Sequence, residues 1–132
     1  MPALPRGLTE AQFAALSRVR AAVAHLGHDV QVHGSWAAGT ATPESDLDIA
    51  IRVAPDRFEQ LLGERFGTPS PGSAKERTLH HARTTGKIQA GEAGLRSLRR
   101  ALEADLGMGV DLSIIRVGGP FDRGPYIALR DV

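Results

Sequence analysis

Along residues 47–53, LDIAIRV, apolar side chains fall at every second position: Leu47, Ile49, Ile51 and Val53. Successive strand residues point to opposite faces, so this spacing predicts a strand with one buried face. The same period recurs more briefly in 29–35, DVQVHGS, with Val30 and Val32 on one face, and again in 109–117, GVDLSIIRV. Elsewhere the period lengthens to that of a helix. Phe13, Leu16, Val19, Val23 and Leu26 predict a helix over 9–27. Thr9 with Gln12 three residues later forms its capping box, and Gly27 is its natural stop. Pro55 opens a second helix to Phe66, whose inner side is Phe58, Leu61, Leu62 and Phe66. Ser73, with Glu76 three residues on, caps a third helix running to Thr85. Leu95, Leu98, Leu102 and Leu106 turn a fourth, 92–106, inward. Phe13, Phe58 and Phe66 are read as core.

The intervening stretches are rich in glycine and proline. WAAGTATPES, with Gly39 and Pro43, reads as a turn with a short helical start, and GTPSPGS as a loop. TTGKIQAGEAG reads as a polar loop, and the tail from Gly118 as irregular. No internal repeat or low-complexity linker interrupts the chain. Helices and strands alternating in this way predict an α/β (α+β) fold: a small mixed sheet flanked by helices, in one domain over 1–132.

Composition narrows the chemistry. The 132 residues include no cysteine, which excludes disulfides and thiolate metal sites. No apolar run is long enough to span a membrane. MPALPRGLTE lacks the basic-then-apolar order of a secretion signal. A cytoplasmic site of action is therefore expected. Net charge is only +1, but cations concentrate in residues 75–100. There Lys75, Arg77, Arg83, Lys87, Arg96, Arg99 and Arg100 outnumber Glu76 and Glu92, with His80 and His81 in addition. Such a region attracts phosphates. For Arg96, Arg99 and Arg100 a solvated helix face is an equal alternative.

The hydrophilic face of 47–53 carries the more specific signal. Asp46 and Asp48 project together, opposite Leu47 and Ile49. Two like charges so close raise the cost of ionising each other and call for a cation between them. Oxygen-only donors suit Mg²⁺ before Zn²⁺. If the strand at 109–117 pairs with 47–53 in matching register, Asp111 joins the same face. Three carboxylates around one or two Mg²⁺ ions suit in-line phosphoryl displacement. Gly34-Ser35 precedes them: glycine lets backbone N–H groups approach phosphate oxygens, and serine adds a hydroxyl. Ser45 is expected to bond locally and orient the Asp pair. His33 is either a substrate contact or a half-buried structural histidine. Trp36 either packs the turn or stacks on a base, packing being preferred. His80 and His81 do not make a metal pair on a helix. Among the basic residues Lys87, in the polar loop, is the leading candidate for nucleotide binding. Aromatics at 5% argue against a platform of stacked rings for single-stranded nucleic acid.

Gly34-Ser35, a ten-residue spacer and Asp46-Leu47-Asp48 within SDLDIAI together resemble the signature of the DNA polymerase β-type nucleotidyltransferase superfamily. The resemblance implies that Gly34 and Ser35 hold a nucleoside triphosphate and that Asp46 and Asp48 bind Mg²⁺. It implies that Asp111 binds metal and helps deprotonate an acceptor hydroxyl. Residues 67–126 are in addition similar to nucleotidyltransferase domains at the C-termini of bacterial polymorphic toxins, the Rhs type among them. That similarity implies a fragment of a larger delivered protein, an antibacterial role and a cognate immunity protein. It favours RNA, particularly a tRNA end, as acceptor. Nucleotidylation of a protein hydroxyl, pyrophosphate transfer and a non-catalytic NTP-binding or partner-binding module remain the alternatives.

Overall fold

The structure, a computed structural model, describes residues 8–42 and 44–129. Pro43, expected in the turn, lies outside the described residues. The order of elements is α1 (Glu10–Ala22), β1 (Asp29–His33), α2 (Gly34–Ala38), β2 (Leu47–Val53), α3 (Pro55–Phe66), α4 (Ala74–Thr85), β3 (Lys87–Gln89), α5 (Arg96–Leu106), β4 (Val110–Arg116) and β5 (Tyr126–Ala128). The five strands form one mixed sheet in the order β3-β4-β2-β1-β5. β2 and β4 are parallel, and the other neighbours are antiparallel. Parallel neighbours need a long crossover, which α3, α4, β3 and α5 supply. The mixed sheet with flanking helices is the fold class the sequence predicts.

The register sorts the sheet into two chemically different faces. Leu47, Ile49 and Ile51 of β2 lie beside Val110, Leu112 and Ile114 of β4. Val30, Val32 and Ile88 continue the same row, and all are buried. The helices bury their apolar sides in the same cluster, with Leu16 and Val19 from α1, Phe58 and Leu62 from α3 and Leu102 and Leu106 from α5. The other face carries Asp48, Ala50 and Arg52 beside Asp111, Ser113 and Ile115, flanked by Gln31 and His33 from β1.

Several boundaries differ from expectation. α1 ends at Ala22 rather than at Gly27, although the Thr9–Gln12 capping box is formed and Val23 is buried beyond the helix. α5 begins at Arg96 rather than at Glu92, because Gly94 takes a φ of 75° and breaks the run. The loop expected at 84–94 contains β3, and the irregular tail contains β5. Both are three-residue edge strands, too short to show a period of their own. α3 and α4 fall where proline and the Ser73 cap place them. Phe58 and Phe66 are buried, and Phe13 is partly so.

The segment between β4 and β5 crosses the polar face. Asp122 accepts two hydrogen bonds from Arg52 of β2, from Nε at 2.6 Å and from Nη2 at 2.8 Å. The Arg52 Nη1 donates to Asp29 of β1 at 2.6 Å. Asp122 also accepts from the Gly118 backbone N–H at 2.8 Å. This ion trio holds residues 118–122 down on the sheet.

Candidate active site

The parallel register of β2 and β4 sets Asp48 directly beside Asp111. Adjacent strands lie about 4.8 Å apart, so the two carboxylates share one small patch. Asp46 stands just before β2. The Leu47 N–H donates to the Gly109 carbonyl at 2.8 Å and keeps Asp46 at the mouth of β4. Two glycines make room for these carboxylates. A Cβ on Gly34 would collide with the Asp48 carboxylate, and a Cβ on Gly109 with that of Asp46. Gly34 also has a φ of 68°, which glycine alone adopts without strain.

Asp46, Asp48 and Asp111 line one open cavity of about 420 Å³. Gln89, Gly91, Arg96 and Arg99 form its other wall. That volume falls within the roughly 300–1,000 Å³ of ordinary small-ligand sites. A second cavity of about 200 Å³ shares Asp48 and Asp111 and extends along the strands past Ala50 and Ser113 to Ile115. His33, Lys87 and Phe121 complete it.

Charge is unbalanced at the junction. Burial raises the pKa of Asp48 above the usual carboxylate range; the Asp111 charge adds to this, Lys87 opposes it, and Asp46 adds again. The Lys87 Nζ lies 3.6 Å from the Asp111 Oδ2 and 4.8 Å from the centre of the Phe121 ring. Burial lowers the pKa of His33; the largest opposing influence is the Asp122 charge. The His33 Nε2 is bonded to the buried Gln31 Oε1 at 2.8 Å, and its ring stacks on Tyr126 with centres 5.9 Å apart.

Among the described residues, no group of three or more His, Asp or Glu side chains closes into a metal cage. The donor chemistry nevertheless fits a hard cation. Mg²⁺ typically takes one or two carboxylates and keeps its remaining positions for water and substrate phosphates, rather than using an all-protein cage. An oxygen-only donor set lining an open cavity meets that requirement.

The structure brings Asp46, Asp48 and Asp111 to one cavity and seats Gly34 against Asp48. Ser35 lines neither cavity, and α2 is a five-residue turn of helix. Lys87 lies on the second cavity rather than beside the arginines. Trp36 is buried and donates from Nε1 to the Ser45 carbonyl at 3.3 Å, so it packs the turn. Ser45 bonds locally, its Oγ accepting from the Thr42 N–H at 2.9 Å. His80 and His81 are exposed on α4, away from both cavities. Sequence reasoning left Arg96 and Arg99 undecided and missed Gln89, Gly91, Gly109 and Phe121. The three-residue spacing of Arg96 and Arg99, which puts them on one helix face, was the available signal. Nothing local marks Phe121.

The family model described as nucleotidyltransferase domain matches residues 16–116, from within α1 to the end of β4. No curated protein and no solved structure matches the chain.

Proposed function

Because the chain belongs to the nucleotidyltransferase domain family, and is thus a transferase of phosphorus-containing groups, we propose that it moves a nucleotide from an NTP to an acceptor hydroxyl and releases pyrophosphate. The observation that carries this reading is the Asp48–Asp111 pair on the floor of a cavity rimmed by Arg96 and Arg99. Acidic floor and basic rim match a triphosphate whose reacting phosphorus sits over the carboxylates. Asp46, Asp48 and Asp111 are the residues that would hold Mg²⁺; when bound, the metal supplies charge neutralisation for the phosphates and the leaving group.

The chain's own residues do the rest. Arg96 and Arg99 bind the β- and γ-phosphates, as guanidinium forks suit phosphate oxygens. Gly34, lacking a Cβ, leaves room for the Asp48 carboxylate, and Ser35 offers a hydroxyl near the turn. Asp111 takes the proton from the acceptor hydroxyl. The acceptor oxygen then bonds to the α-phosphorus as the bond from that phosphorus to the bridging oxygen breaks, and pyrophosphate leaves with the electron pair. Most of the rate comes from positioning and charge stabilisation.

The acceptor in this reading is RNA, a tRNA end in particular, and the setting is an antibacterial toxin with a cognate immunity protein. Support comes from the similarity of residues 67–126 to polymorphic-toxin domains and from the cations of 75–100. The test is incubation with Mg²⁺, each α-labelled NTP and a bacterial extract, with Asp48→Ala as control. Label removed by RNase is expected. Label removed by protease would replace RNA with a protein acceptor. NTP binding without any label above the control would make the chain a binding module. Expression should arrest bacterial growth, with relief by Asp48→Ala; harmless expression of the wild type would remove the toxin role.

A further inference from the structure

The two cavities meet at Asp48 and Asp111 but run in opposite directions along the strands. One reaches back to Asp46 and Val110, the other forward to Ala50 and Ile115. In-line displacement requires the nucleophile and the leaving group to lie on opposite sides of the phosphorus. Resting on the transfer reading above, we propose that the smaller cavity is the acceptor subsite, and that it takes the unpaired end of a single-stranded nucleic acid, its terminal hydroxyl toward Asp111 and its last base against Phe121.

Size separates the two roles. The larger cavity accommodates a whole small ligand, whereas about 200 Å³ admits only the end of a longer molecule. Chemistry separates them as well. The larger cavity has two arginines and no aromatic wall; the smaller has Lys87 and the ring of Phe121. Phe121 is 46% exposed, and Tyr126, stacked on His33 beside this cavity, is 48% exposed. Exposed rings next to a cation recognise nucleobases by stacking without reading their identity. The wall is also built to stay in place. Asp122, next to Phe121, is clamped by Arg52, which is tied in turn to Asp29. Phe121, Asp122 and Tyr126 all lie beyond the family match, which ends at residue 116. The aromatic part of the acceptor wall is thus supplied outside the part of the chain that the family model matches.

The experiment measures two affinities in parallel, in Mg²⁺: that of a fluorescein-labelled single-stranded RNA of on the order of ten nucleotides with a free 3′ hydroxyl, and that of NTP. The wild type, Phe121→Ala, Phe121→Leu, Tyr126→Ala and Arg99→Ala are compared. Phe121→Ala should weaken RNA binding roughly tenfold and leave NTP affinity within about twofold. Phe121→Leu, which keeps the bulk without the ring, should fall with it. Arg99→Ala should show the opposite pattern. Unchanged RNA affinity in both Phe121 variants, or NTP affinity falling in step, would overturn the assignment. A wild type that binds NTP and labels protein but does not bind the RNA would overturn the nucleic-acid acceptor while sparing nucleotidyl transfer. A wild type that binds no NTP would instead sink the transfer reading itself.

Discussion

Asp48 and Ile49 are neighbours on one strand, yet they belong to different problems. Ile49 is fully buried between Val32 and Leu112, in the row that welds the sheet to its helices. Asp48 points the other way, to a face where Asp111 stands beside it and burial works against its charge. The apolar face is a solution that many side chains could provide. The polar face contains arrangements that folding alone would not select, because two adjacent carboxylates oppose the compact state. Alternation along one strand thus divides structure from chemistry at single-residue resolution.

The largest expected effect comes from substituting the two neighbours separately. Asp48→Asn should cut the transfer rate by about a thousandfold, corresponding to roughly 4 kcal/mol of barrier. Its melting temperature should hold or rise, since both burial and the Asp111 charge disfavour the ionised Asp48. Ile49→Ala should do the reverse: about 2–5 kcal/mol of stability lost by denaturant titration, with the folded fraction keeping its specific activity. Loss of both properties in either variant would show that the two faces are not separable.

Arg52 tests whether the whole polar face is chemistry. It shares that face with Asp48, but its partners are Asp122 and Asp29, and its role is to hold the crossing segment. The Asp122 side chain is only 7% exposed, so Asp122→Asn should cost about 2–3 kcal/mol. The Arg52 hydrogen bonds hold the Asp122 pKa below the usual carboxylate range, against the opposing effect of burial. Because the folded value is the lower one, the stabilisation is complete above the unfolded value of 3.8 and is lost as pH falls through the folded value. Stability of the wild type should therefore drop below pH 4 by an amount missing from Asp122→Asn. Equal acid profiles would remove the clamp.

The same division explains what could be read from the sequence. The apolar face was legible because Leu47, Ile49, Ile51 and Val53 alternate without a break, and α3 and α4 were legible because Pro55 and Ser73 mark their starts. The Asp48–Asp111 juxtaposition was legible only conditionally, since register between strands more than fifty residues apart in sequence is settled by packing. β3 and β5 were hidden, because their pairing is held by neighbouring strands rather than by a pattern of their own. The second cavity was hidden for the same reason: Lys87, Phe121 and His33 come from three distant segments. A low aromatic content argued against a stacking platform, but composition cannot say where the few rings end up.

The smallest effect sharpens the comparison at a position with no side chain. Gly34 opens α2 and Gly39 caps its end, and both have positive φ, 68° and 79°. Alanine at either should cost about 1 kcal/mol of stability, because an L-residue is strained there. Their surroundings differ. A Cβ at Gly39 meets nothing within 4 Å, whereas one at Gly34 drives into the Asp48 carboxylate. Gly39→Ala should therefore lose stability alone. Gly34→Ala should lose similar stability and, in addition, roughly tenfold in transfer rate at saturating NTP, since a misplaced carboxylate acts on kcat. Equal rates in the two variants would mean that Gly34 serves only the turn, and that the carboxylate it touches tolerates displacement.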